Sequence, residues 1–217
     1  MGRFTVAEFC VGGGGQALGL EAAGFDCAAA IEIDGDCCTT LRMNRPQWNV
    51  LHEDMRLVDG KRWHDVDLFA AGVPCPPFSI AGKQLGTNDE RDLFPEALRI
   101  IEEMKPKAVL LENVPGFASA KFSDYRNQLQ MKLLDLGYES DWRVLQAADF
   151  GVPQLRPRFI LVGLPKKKMA FFNWPRPHEK QATVGDTLQD LMEQRGWKGA
   201  DRWVRKAQRI APTIVGG

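Results

Sequence analysis

The order of elements along the chain predicts an α/β protein, a doubly wound sheet with helices on both faces, followed by the start of a second region. Three observations carry this expectation. Short apolar runs alternate with stretches of helical spacing through the first 165 residues. A run of glycines, "VGGGGQ" at 11–16, stands where the first apolar run gives way to a helical one. Beyond Pro165 the texture changes to proline, aromatics and charge, without the same alternation.

The elements follow in order. "FTVAEFC" (4–10) reads as a buried strand, and "GQALGLEAAG" has apolar residues at helical spacing with Gly24 as its stop. "DCAAAIEID" (26–34) is a second strand, and "DGDCCTTLRMN" (34–44) a helix ended by Pro46. "WNVLHEDM" holds a third strand and "VDLFAAGVP" a fourth. "RDLFPEALRIIEEMKP" is an amphipathic helix, and "KAVLLENVPGF" a strand running into a turn. The helix "YRNQLQMKLLDLG" (125–137) precedes two more strands, "SDWRVLQAADFG" and "RPRFILVGLP", around a loop. Beyond them "PKKK" (165–168) reads as a solvated loop, "KKKMAFFNWPRPHEKQA" as irregular chain and "VGDTLQDLMEQRG" as one short helix.

Composition narrows the function classes. The 217 residues are enough for a sizeable core, as one domain or one and a half. Twenty-eight basic and 28 acidic residues balance, so global charge gives no support for nucleic-acid binding and any basic patch is local. Five cysteines, with Cys37 and Cys38 adjacent, and three histidines form no CxxC pair; neither a disulfide framework nor a metal site is expected. No apolar run reaches the roughly 20 residues that cross a bilayer, and the expected location is the cytoplasm.

Chemistry concentrates at the strand ends. The glycine turn frees the backbone for close approach by a ligand, and the following helix start supplies oriented N–H donors. Glu32 closes the second strand, 17 residues after Gly15, where nucleoside-binding α/β folds keep an acid for ribose hydroxyls. Asp54, after the third strand, is placed to accept from an exocyclic amine such as that of adenine. Either acid alone also reads as a solvated strand end; in sequence with the glycine turn they point to an adenosine-containing cofactor. The glycines do not spell GxGxxG, which makes NAD the weaker choice.

Cys75 follows the fourth strand in "GVPCPPFS", where prolines fix φ and remove backbone donors. A lone cysteine there is also a candidate apolar filler. Glu112, in "LLENVPGF", emerges from the next strand and is expected in the same cleft, with partial burial raising its pKa. A thiolate beside a protonatable carboxyl suits addition to an electron-poor ring followed by proton shuttling.

"GVPCPPFS", "ENV" and "QLRPR", in this order behind the glycine turn, resemble the DNA (cytosine-5)-methyltransferase family, with motifs spanning residues 8 to about 163. The resemblance implies a Rossmann-like sheet that binds S-adenosylmethionine and releases S-adenosylhomocysteine, with double-stranded DNA as partner. Gly12, Gly14 and Gly15 match its glycine motif, Glu32 its ribose acid and Asp54 its adenine-reading residue. Cys10, Ile33, Met55, Pro74 and Leu93 match positions around the cofactor.

Cys75 matches the nucleophile that adds to carbon 6 of a flipped-out cytosine, and Glu112 the acid that holds ring nitrogen 3 and the amino group. Gln154, Arg156 and Arg158 match the QxRxR motif, Arg158 toward the cytosine carbonyl and Arg156 toward the catalytic loop or its phosphate. Ser79 and Lys83 lie in "SIAGKQLGTNDERD", which corresponds to a loop closing over the base with phosphates in reach. Cys10 replaces a usual phenylalanine, Glu8 an aspartate and Pro76 a glutamine.

The resemblance divides the chain into a catalytic, S-adenosylmethionine-binding domain (1–165) and the opening of a target-recognition region (166–217). The rest of that region, an asparagine-bearing motif and a final helix do not match here. The expectation is a fragment, or one subunit whose partner polypeptide supplies the remainder, of a bacterial-type modification enzyme. A tRNA cytosine-5 methyltransferase and a catalytically idle cofactor- or DNA-binding subunit are the alternatives.

Overall fold

A computed structural model describes residues 4–75, 85 and 90–214. The chain divides into two units, Met1–Arg143 with Phe159–Phe172, and Val144–Arg158 with Asn173–Gly217.

The first unit opens with β1 (Phe4–Phe9), α1 (Gly15–Ala22), β2 (Phe25–Glu32), α2 (Gly35–Asn44) and β3 (Val50–His52). Then come β4 (Leu68–Ala71), α3 (Phe94–Met104), β5 (Ala108–Asn113) and α4 (Ser123–Asp135). Two strands, β6 (Tyr138–Gln146) and β8 (Pro157–Pro165), straddle the boundary between units. The seven-stranded sheet runs β3-β2-β1-β4-β5-β8-β6. β1 pairs in parallel with β2 and β4, β4 in parallel with β5, and β5 antiparallel with β8. Strand order therefore reverses between β1 and β4. In an open α/β sheet the carboxyl ends at such a reversal form the ligand crevice.

Local chemistry explains the helices on the two faces. Ala7 and Phe9 of β1 point to the face covered by α3 and α4, where Phe94 stacks on Phe117 with ring centres 5.1 Å apart. Every third or fourth residue of α3 is apolar, and Phe94, Ala97, Leu98, Ile101 and Met104 are buried. The opposite face packs Ala17 and Leu20 of α1 and Cys38 and Leu41 of α2 over Val6, Ala30 and Ala70. Gly24, with φ +92°, ends α1 in a conformation that glycine adopts freely. Asp34 caps α2, its carboxylate accepting from the Asp36 and Cys37 amides.

The second unit joins two short strands far apart in sequence and two helices. A 3-10 turn at Ala147–Phe150 leads through Gly151, at φ +86°, to β7 (Gln154–Leu155). β7 pairs in parallel with β9 (Ala211–Pro212). Between them lie α6 (Val184–Glu193), capped by Thr183, and α7 (Ala200–Lys206). Gly185 lets the helices touch, since a Cβ there would stand 2.7 Å from the Val204 carbonyl.

Three local expectations change. The lysines after Pro165 form one exposed helical turn, α5 (Lys166–Met169), rather than loop. The strand expected at 140–151 stops at Gln146, because the Ala147 amide turns to the Arg156 carbonyl. The C-terminal region holds a second helix and a two-residue strand beyond the one short helix expected. Among the described residues no helix is long and apolar enough to cross a membrane.

Candidate active site

The first unit gathers the predicted cofactor residues at the carboxyl ends of β1 to β4. β1 leaves the sheet through Cys10, Gly12 and Gly14, all with positive φ. At Gly14 packing adds to the backbone demand, since a Cβ would lie 2.6 Å from Leu41 Cδ2. Glu32, buried at the end of β2, organises the turn. Its Oε2 accepts from the Gly12 amide at 2.6 Å, and its Oε1 from the Ile33 and Asp34 amides at 2.9 Å. A carboxylate has about four acceptor positions, so one stays available to a ligand hydroxyl after these three bonds.

Asp54 opens the 3-10 turn Met55–Leu57 and accepts from the Arg56 amide and guanidinium. That hydrogen bonding holds its carboxyl below the usual range. Burial pushes the Cys10 thiol up to about 12, with Glu32 and Asp54 adding to the effect. Cys10 is therefore an uncharged wall, its Sγ 3.5 Å from Met55 Sδ.

Between these groups lies a cavity of about 260 Å³. Cys10, Glu32, Ile33, Asp54, Met55, Pro74 and Leu93 line it, all residues that the sequence singles out. Glu53, Arg56, Glu90 and Arg91 also line it and were not foreseen. Arg56 carried a faint signal in its two-residue spacing from Asp54. Gly12 touches the site through its bond to Glu32, Gly15 starts α1, and Gly14 lines a neighbouring cavity with Trp48.

Cys75 and Glu112 belong to the next two strand exits. The Gly72 amide donates to the Phe9 carbonyl at 3.1 Å, carrying the β1–β4 ladder one step past the strand. Val73 is buried and Cys75 half-buried, with burial pushing its thiol up. Glu112 and Asn113 close β5, in register with Ile160 and Phe159 of β8. Asn113 joins the two exits: its Nδ2 donates to the Val73 carbonyl at 3.0 Å and its Oδ1 accepts from the Val114 amide. Glu112 is half-buried, and its Oε2 lies 3.7 Å from where a Cβ on Gly72 would stand. The acid thus reaches back toward the β4 exit that leads to Cys75.

Support comes from a residue the sequence reading passed over. Arg126, buried in α4, donates to the Phe117 and Ser119 carbonyls of the turns after β5 and stacks over Trp142 at 4.9 Å. An arginine inside a polar helix gives no sequence sign of such a role.

Gln154, Arg156 and Arg158 belong to the second unit. Gln154 starts β7, the Arg156 carbonyl accepts from Ala147, and Arg158 in β8 donates to the Pro157 carbonyl at 2.8 Å. Ser79 and Lys83 lie outside the described residues.

Sheet order, strand polarity and edge cavity are those of a ligand-binding doubly wound domain. The profile of the C-5 cytosine-specific DNA methylase family matches residues 4–216, and the chain belongs to that family. It is 54% identical over 214 residues to the Type II methyltransferase M.NgoMIV of Neisseria gonorrhoeae, covering 98% of this chain and 69% of that protein. To M.NaeI of Lentzea aerocolonigenes it is 50% identical, covering the whole chain and 53% of the relative.

Among solved structures, one described as a prophage-encoded DNA modification methyltransferase of Escherichia coli superposes with a TM-score of 0.71 at 28% identity. That match covers 85% of this chain and 54% of the other. A mutant of Spodoptera frugiperda DNMT2 superposes at 0.63 and 25% identity, over 82% and 54%. The chain spans about half the length of these last three relatives.

Proposed function

We propose that the chain carries the cofactor-binding and base-attacking part of a DNA cytosine-5 methyltransferase that uses S-adenosylmethionine. One observation supports this most directly. In a member of the C-5 cytosine methylase family, Asn113 ties the strand exits bearing Cys75 and Glu112 together beside a cavity lined by Glu32 and Asp54. The donor set suits an adenosine: two carboxylates to accept from hydroxyl and amino groups, and Ile33, Met55, Pro74 and Leu93 as apolar walls. When bound, S-adenosylmethionine supplies the electrophilic methyl group that carbon 5 of the cytosine accepts.

The chain's own residues do the rest. The target base leaves the duplex, at a cost of about a few kcal/mol in stacking that pocket contacts offset. Glu112 holds ring nitrogen 3 and the exocyclic amine and donates a proton there, drawing electrons from the ring. Cys75 releases its proton to water, and its sulfur bonds to carbon 6 as the carbon 5–carbon 6 π bond opens toward carbon 5. Because burial pushes that thiol up, the sulfur stays protonated until the base is held and polarised. After carbon 5 takes the methyl group, water removes its proton, the freed pair restores the carbon 5–carbon 6 double bond, the carbon–sulfur bond breaks to release the thiolate, and nitrogen 3 returns its proton to Glu112. Arg158 and Arg156 hold the base carbonyl and the catalytic loop, while Gln154, Ser79 and Lys83 contact DNA.

Residues 166–217 open the target-recognition region in this reading. Its remainder and the final helix come from further sequence or a second polypeptide, in keeping with relatives about twice the matched length. The 217 residues alone then methylate DNA poorly. The test is trapping on DNA carrying 5-fluorocytosine with S-adenosylmethionine, using the chain alone and the chain completed by the missing region of M.NaeI. A covalent complex in the completed protein that disappears in Cys75→Ser supports the enzyme. Its absence in the completed protein favours an idle binding subunit, and trapping on tRNA in place of DNA moves the reading to RNA.

A further inference from the structure

Glycines at this edge serve different ends. Gly12 and Gly14 have positive φ, so their backbone alone explains the missing side chain. Gly72 does not; its φ lies outside the positive range that L side chains avoid. What surrounds it is the informative part. A Cβ on Gly72 would stand 3.3 Å from the Cys10 carbonyl oxygen and 3.7 Å from Glu112 Oε2. Cys10 lines the cavity proposed for the cofactor, and Glu112 is the acid proposed to hold the base. Among the described glycines, Gly72 alone has both as neighbours of its would-be side chain.

From this we infer that Gly72 keeps open the passage between the cofactor cavity and the base site, its missing side chain leaving the room that the transferred methyl group needs. The inference rests on the function proposed above and goes past it by naming a residue whose role is empty space. Sheet geometry supports it: β1, β4 and β5 are neighbours, so Cys10, Gly72 and Glu112 follow one another along the edge, about 5 Å per strand. A methyl-sized group at the middle position meets whatever crosses from the cofactor side toward Glu112. The Cys10 carbonyl is already at close range, so the added carbon has little freedom to turn aside.

Binding by the 217-residue chain tests this without requiring turnover. Wild type and Gly72→Ala are titrated calorimetrically with S-adenosylmethionine and with S-adenosylhomocysteine, which lacks the methyl group. The expected result is an affinity for S-adenosylhomocysteine within about twofold of wild type and an affinity for S-adenosylmethionine about tenfold weaker. Equal losses for both ligands would mean a distorted pocket and overturn the inference, as would no loss for either. If Gly72→Ala does not fold, wild type is titrated with S-adenosylethionine, one carbon larger at the sulfonium. Binding within about threefold of S-adenosylmethionine supports an open passage, and a loss beyond about tenfold overturns it. A wild-type protein completed by the missing region of M.NaeI that binds none of the three removes the cofactor reading itself. A chain that binds them without discrimination in the variant removes only the role of Gly72.

Discussion

On the β1–β2 side of the sheet edge, one carboxylate gathers three backbone amides: Glu32 bonds to Gly12, Ile33 and Asp34. On the β4–β5 side the strand exits are joined by a side-chain amide, Asn113 to Val73, across 40 residues of sequence. The first arrangement builds a turn from a charged acceptor and neutral donors, where each bond is strong. The second spaces two strand tips and leaves Cys75 half-buried. In the function proposed above, the first arrangement serves as a preformed cradle for the cofactor and the second presents Cys75 to the base.

The comparison breaks most readily at Glu32. Glu32→Ala removes all three bonds at once and is expected to lower unfolding free energy by about 4 kcal/mol in urea denaturation. Glu32→Gln, which keeps one acceptor oxygen, loses roughly half of that. A change below about 1 kcal/mol for the alanine variant would mean that the cradle is held by the glycine backbone and not by the carboxylate.

Glu8 sharpens the picture beneath that cradle. It sits in β1 beside Ala30 and Ala70, 2% exposed, and its Oε2 has no hydrogen-bond partner among the described residues. Burial raises its pKa from 4.5 to about 8. The folded state keeps a proton that the unfolded chain releases above 4.5, so the contribution of Glu8 is fully present below that pH. It is lost as the pH rises through about 8. Wild type is expected to lose up to roughly 5 kcal/mol of stability over that range, and Glu8→Gln to flatten the profile. Parallel profiles for the two proteins would show that Glu8 titrates normally.

Asn113→Ala gives the smallest effect on stability, about 1–2 kcal/mol from leaving the Val73 carbonyl without its donor. Its larger expression is functional. Affinity for S-adenosylhomocysteine stays near wild type while trapping on 5-fluorocytosine DNA in the completed enzyme slows, because the exits bearing Cys75 and Glu112 are no longer tied. A fall in both together would make Asn113 a general support of the edge.

Much of this was legible in the chain because its causes are local. Short apolar runs in "FTVAEF" and "AVLLEN" and helical spacing in "FPEALRIIEEM" place the strands and helices, since a buried strand leaves a short apolar run and a helix repeats its buried face with a fixed period. Glu32 closes β2 as the sequence indicated, and Asp54 follows β3 by two residues. The weakly patterned end was less legible. "ADRWVRK" buries only Ala200, and β9 is two residues long, so neither leaves a periodic trace. Partners escaped as well: nothing in the order of residues pairs Arg126 with the carbonyls after β5, and only a two-residue spacing hints at the pairing of Arg56 with Asp54.

By itself, then, the sequence determined the class of fold, the strand ends that carry the candidate site residues and the family motifs, since these depend on residue type and short spacing. Tertiary structure decided that β8 runs antiparallel between β5 and β6, that Asn113 bridges two exits and that Gly72 faces both Cys10 and Glu112. Those are distances between residues far apart in the chain. They exist only once the burial of Phe9, Phe94 and Phe117 in one core has drawn the strand ends together.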